Sequence, residues 1–233
     1  MDVINDHLTI VLCHGSFTGA LVWQSVIPFL VKEGYNVVAV DYPTRDFNED
    51  VEYTRNLIDR QDGNVLLVGY SYGGAVVTEA GKHEKVVGIV YIAGFALDEG
   101  DSLGSILGRR EDQGANSRIL DSKGFLWVKP EDFNKCICQD LSQEESLAMS
   151  LCQKPLHLSI VTHTMGPNPA WKNKPTWYQI SDNDRMIPQE TQIEMVNNIK
   201  PKKTIHLNSN HASISSHPKE VTAFIIEAAS TFK

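Results

Sequence analysis

Long hydrophobic runs are missing from this chain of 233 residues. No apolar stretch reaches the roughly 20 residues that a membrane-crossing helix needs, so neither a membrane span nor a membrane partner is expected. Cysteine is scarce, with four residues at Cys13, Cys136, Cys138 and Cys152. That number excludes a dense disulfide framework and points to reduced thiols in a cytoplasmic protein. A single residue separates Cys136 from Cys138, where a zinc knuckle or redox pair has two, so no metal site is expected. Basic charge is short as well: 21 Lys and Arg stand against 29 Asp and Glu, a net charge of −8. A chain that grips nucleic acid usually carries a basic face, and no cluster here suggests one. The short run Lys200-Pro201-Lys202-Lys203 reads as a solvated turn. Met1 to Asp6 is acidic and lacks the basic start and apolar core of a signal peptide.

What is present is an ordinary soluble composition, 42% hydrophobic and 21% charged, in a length that suits a single α/β domain. Apolar runs recur at His7 to His14, Tyr35 to Asp41, Asn64 to Val68 and Val86 to Ala93, and the strand pattern resumes at Thr176 to Ser181 and Lys203 to Leu207. Helical stretches separate them at Gly19 to Glu33, Asn48 to Arg60 and Ala75 to Lys82, and Pro218 to Thr231 reads as a closing helix. Pro28 inside the first stretch suggests that this helix starts late, with the proline in its first turn. Strands with no polar face, alternating with helices, imply a mostly parallel sheet of about six strands covered on both sides. From about residue 98 to 173 the rhythm breaks down, and no strong strand shows. This stretch reads as an inserted helical lid within a single domain of residues 1–233.

Gly69-Tyr70-Ser71-Tyr72-Gly73-Gly74 falls between a predicted strand and a predicted helix. A serine at such a turn is lifted out of the sheet, and the following helix N-terminus aims amides at developing negative charge. The hydroxyl needs a base from the end of another strand. His211, in the loop after the last strand, is placed for this; its rivals are His206, within the strand, and His217, before Pro218. A carboxylate that orients the base belongs after the preceding strand, where Asp184 is preferred to Asp182. The order Ser71, Asp184, His211 is the order of the nucleophile-elbow enzymes. Two backbone amides are required for an oxyanion hole, and Tyr72 and Ser16 are the candidates. Phe17, Tyr70, Trp127 and His163 are weaker candidates for substrate contact.

His14-Gly15-Ser16-Phe17, the Ser71 motif, Asp184-Arg185-Met186-Ile187-Pro188 and Asn210-His211 together resemble the α/β-hydrolase superfamily. The closest likeness is to its small esterase-like branch of methylesterases, hydroxynitrile lyases and bacterial serine hydrolases. It covers about residues 7–96 and 174–231. The resemblance implies an α/β-hydrolase fold and a serine hydrolase that needs no cofactor, acting on a small, mostly apolar carboxylic ester, thioester or lactone. Lyases of this branch carry a threonine after the oxyanion-loop histidine and a lysine after the catalytic histidine; Gly15 and Ala212 stand in those places here, favouring hydrolysis. An aspartate nucleophile would mark a dehalogenase, and Ser71 argues against that. A homodimer stays open. Two other readings remain: a slow-turnover ligand receptor on the same fold, and a dinucleotide binder built on Gly15, Gly19 and Asp41. The latter lacks the third glycine of its fingerprint.

Overall fold

The computed structural model describes residues 8–110 and 114–232. The chain opens with β1 (Leu8–Cys13), a 3-10 turn (Ala20–Trp23) and α1 (Ile27–Lys32), followed by β2 (Asn36–Val40), α2 (Phe47–Asp59), β3 (Asn64–Tyr70), α3 (Gly73–Ala80) and β4 (Val86–Ile92). As Pro28 suggested, α1 begins late and holds the proline in its first turn. Gly34 at φ +83 then turns the chain into β2. Asp46 caps α2, its carboxylate accepting from the Asn48 and Glu49 amides, which fixes where the helix starts.

Between β4 and the next strand of the main sheet, α4 (Leu103–Leu107), β5 (Arg118–Leu120), β6 (Phe125–Val128), α5 (Pro130–Ile137), α6 (Gln143–Leu151), β7 (Leu156–His157) and α7 (Leu158–Thr162) form an insert. It is not wholly helical, as the sequence had suggested: β5, β6 and β7 form a three-stranded antiparallel sheet. Strands this short carry too few residues to show a period of two. The main sheet resumes with β8 (Thr176–Ser181), α8 (Gln189–Ile199) and β9 (Lys203–Leu207), and the chain closes with α9 (Ser213–Ser216) and α10 (Pro218–Ser230). α8 is an addition to the elements expected from the sequence.

The six main strands run parallel in the order β2-β1-β3-β4-β8-β9. Each residue of β1 and β8 is buried, and the pleat sends alternate side chains into two separate cores. Val11, Leu67 and Ile89 meet the side that holds α2, α3 and α8. Ile10, Leu66 and Val90 meet Leu30 of α1 and Val221, Phe224 and Ile225 of α10. This is the α/β-hydrolase fold. Among the described residues, no helix is long and apolar enough to cross a membrane.

Candidate active site at the carboxyl ends of the strands

β3 ends at Tyr70 and α3 begins at Gly73, so Ser71 occupies the sharp turn between them. Its backbone sits in the left-handed region, at φ 53. A non-glycine residue pays for that conformation, typically 1–3 kcal/mol, so the surroundings must hold it. The Ser71 amide donates to the Ile92 carbonyl at 3.1 Å, and its own carbonyl accepts from Gly74 at 2.9 Å and Phe95 at 3.0 Å. Gly73 is required by the packing: a β-carbon there would lie 2.5 Å from the Cys13 carbonyl oxygen. The motif therefore brings the start of α3 against the end of β1.

The loop after β1 crosses directly beside the serine. A β-carbon on Gly15 would come within 2.8 Å of the Ser71 β-carbon, so only glycine fits this backbone. The buried imidazole of His14 anchors the loop. Its Nδ1–H donates to the Gly15 carbonyl at 2.8 Å, and the Tyr42 hydroxyl donates to the His14 carbonyl. Burial pushes the His14 pKa down to about 4, so the ring is neutral at neutral pH. Ser16 and Phe17 follow, and both line a cavity that also contains Ser71 and His211.

A chain of hydrogen bonds runs from Ser71 through His211 to Asp184. His211 Nε2 lies 2.8 Å from Ser71 Oγ, and His211 Nδ1 lies 2.6 Å from Asp184 Oδ2. Facing a carboxylate, Nδ1 carries the proton and donates it; Nε2 then accepts from the serine hydroxyl. All three residues are buried. Asp184 Oδ1 accepts from the Met186 and Ile187 amides at 2.8 and 2.9 Å, and Oδ2 also accepts from Gln192 Nε2 at 3.0 Å. Gln192, on α8, had no signal in the sequence beyond an amide side chain in a polar stretch. Asp182 and His206 pair with each other instead, Nδ1 to Oδ1 at 2.8 Å, while His217 bonds the Ser216 hydroxyl at 2.8 Å.

The insert grips both loops. The Ala212 amide donates to the Ile137 carbonyl at 3.0 Å, the Asn210 amide to Asp140 at 3.1 Å, and Gln139 to the Asn183 carbonyl at 2.9 Å. Phe95, Leu103, Leu126, Ile137 and Met186 give the cavity an apolar wall. Of the weaker contact candidates, Phe17 is in this wall. Tyr70 is buried behind it, with its ring 5.2 Å from that of His211. Trp127 donates to Asp121 at 3.1 Å and His163 stacks on Phe47 at 4.4 Å; neither is in the lining. Tyr72, the residue after Ser71, opens α3, and its hydroxyl donates to the buried Asp50 at 2.6 Å. Asp41, the acid a dinucleotide ribose would need, is held by Lys154 at 2.5 Å and by the Ala20 amide at 3.1 Å. Among the described residues, no group of His, Cys, Asp and Glu stands ready to hold a metal.

Comparison with known proteins places this arrangement. Methylesterase 1 of Arabidopsis thaliana is 25% identical, over 95% of this chain and 96% of its own. The pyrethroid hydrolase of Sphingobium wenxiniae is 24% identical, over 94% of this chain and 87% of its own. The chain spans 55% and 63% of the length of two longer relatives, putative chloroplastic methylesterases 15 and 11 of Arabidopsis thaliana. A crystal structure of a pyrethroid hydrolase superposes with a TM-score of 0.85 at 18% identity, covering 96% of this chain and 98% of the other. A methylesterase from Arabidopsis superposes at 0.81 with 22% identity, covering 96% and 99%. The family model described as alpha/beta hydrolase family matches residues 10–224, and the chain belongs to that family.

Proposed function

We propose that this protein is a serine hydrolase that cleaves a small, mostly apolar carboxylic ester through an acyl-enzyme on Ser71. The observation that carries the reading is the unbroken Ser71–His211–Asp184 chain at 2.8 and 2.6 Å. Ser71 Oγ attacks the acyl carbon as its proton passes to His211 Nε2. Asp184 holds the ring in the required tautomer and stabilises the imidazolium. The Ser16 and Tyr72 amides receive the oxyanion, each donor being worth about 10²–10³ in rate. His211 then returns the proton to the departing alcohol, and water repeats the sequence on the acyl-enzyme. The apolar wall supports an uncharged acyl group. The matched relatives named methylesterase and pyrethroid hydrolase support ester cleavage. The crowding of Gly15 against Ser71, with Ala212 beside His211, supports hydrolysis over cyanohydrin cleavage, because a threonine does not fit the loop as it stands.

A fluorophosphonate probe and p-nitrophenyl esters test the reading. Wild type labels and turns over; Ser71→Ala neither labels nor turns over, and His211→Ala loses turnover by about 10⁶, the scale at which a hydrolase triad fails. Asp184→Asn costs less, since the histidine keeps its place. A folded wild type that does not label would overturn the hydrolase in favour of a ligand receptor. Greater damage from Asp182→Asn than from Asp184→Asn would overturn the choice of acid.

A further inference from the structure

The cavity at Ser71 is small, about 80 Å³. A second cavity of about 440 Å³ opens between the loop after β1 and the insert, with Leu21, Val22, Leu141, Ala148 and Met149 in its walls. Phe17 is the one lining residue the two have in common. Its backbone is left-handed, at φ 60, a costly conformation for an aromatic residue, yet the residue is only 5% exposed. The charges in the larger cavity are already committed. Lys154, its only cation among the described residues, donates to Asp41 at 2.5 Å and to the Tyr42 carbonyl at 3.1 Å. Glu145 accepts from the Ser142 amide at 3.0 Å and its hydroxyl at 2.7 Å, as part of the cap on α6. What remains is uncharged: Thr18, Gln24, Ser25 and Ser215 contribute polar atoms, the side chains of Leu21, Val22, Leu141 and Met149 are apolar, and Leu21 at the edge is 80% exposed. A large aliphatic side chain left in water beside a concave surface favours an apolar occupant.

The geometry points to a single substrate site divided by Phe17: the chamber at Ser71 takes the ester group with its smaller end, and the cleft beyond Phe17 takes a larger, uncharged apolar arm. This rests on the hydrolase reading of Ser71. The free arm could be the acyl chain or the alcohol, and one experiment separates them. kcat/KM is measured for p-nitrophenyl acetate, p-nitrophenyl octanoate and octyl acetate on wild type, Ala148→Trp and Phe17→Ala. Filling the cleft from α6 with Ala148→Trp lowers the long-to-short ratio at least 10-fold in the series whose arm lies there. Phe17→Ala, which removes the partition, raises the same ratio. Cys152 provides a check that needs no variant. It lines the cleft and is exposed, whereas Cys13, Cys136 and Cys138 are buried, so N-phenylmaleimide on the folded wild type should block the cleft selectively. Blocking lowers the same ratio. If Ala148→Trp and the blocked wild type both keep ratios within twofold in both series while still labelling with fluorophosphonate, the cleft is not part of the site. Failure of wild type to label sinks the hydrolase reading instead, and the two failures are distinct.

Discussion

Asp50 lies fully buried near the turn that carries Ser71, its carboxylate accepting from the Tyr72 hydroxyl at 2.6 Å and the Thr44 amide at 3.0 Å. Those bonds favour the anion, but burial outweighs them and lifts its pKa from 3.8 to about 6. The titratable groups around it are Cys13, Tyr42 and Tyr72 from neighbouring elements and Asp46 and Glu49 from its own segment, all acids, together with one cation, the exposed Arg45. The folded protein therefore binds this proton more tightly than the unfolded chain does. The stabilisation is complete below about pH 4 and is lost as pH rises through about 6. The gap corresponds to about 3 kcal/mol. Urea midpoints of wild type and Asp50→Asn at pH 4.5 and 7.5 check this: the variant should gain stability relative to wild type on going to the higher pH. A difference that does not change with pH would mean that Asp50 does not titrate in this window. Nothing local in the sequence marks Asp50, which looks like a surface acid in a polar helix. Its burial arises from the packing of α2 on α3, a tertiary fact. Ser71 and His211 were legible because each sits at a strand end in a short motif whose neighbours are constrained by the turn itself.

At the scale of elements, β8 and β9 have the bounds the sequence suggested: every residue of β8 is buried, while β9, an edge strand that is exposed or half-buried throughout, is marked by its β-forming Thr204 and Ile205. α8 carries no such mark: it opens on Gln189-Glu190-Thr191-Gln192, and its apolar positions emerge only a turn later. Yet α8 supplies Gln192, which accepts from the Ser181 amide at 3.1 Å and donates to the Ile187 carbonyl at 2.8 Å and to Asp184 at 3.0 Å. The helix thereby ties the end of β8 to the loop that carries Asp184. Gln192→Leu keeps the bulk and removes all three bonds. A hydrogen bond to a charged group is worth about 1.5–3 kcal/mol, so a loss of about 10-fold or more in kcat is expected. KM for a short ester should change little, since Gln192 is outside the cavity lining. A rise in KM at constant kcat would place its role in binding instead.

Across the whole molecule, the site is assembled from parts distant in sequence. The core supplies Ser71, Asp184 and His211, and the insert fixes the last two loops through Ile137, Gln139 and Asp140. The core was legible because parallel strands and the loops after them follow a regular order. The insert was not, because its strands span three, four and two residues, and β6 pairs with a β7 that follows two intervening helices. Pairing of that kind is decided by tertiary packing rather than by local pattern. The insert's grip on the histidine loop can be measured. Asp140→Ala removes the acceptor for the Asn210 amide, one residue before His211. Amide exchange across residues 208–212 should quicken. Turnover of a short ester should fall several-fold through kcat, because the imidazole spends less time within reach of Ser71. Exchange and turnover both at wild-type values would mean that the core alone holds His211 in place, leaving the insert to shape the pocket without positioning that imidazole.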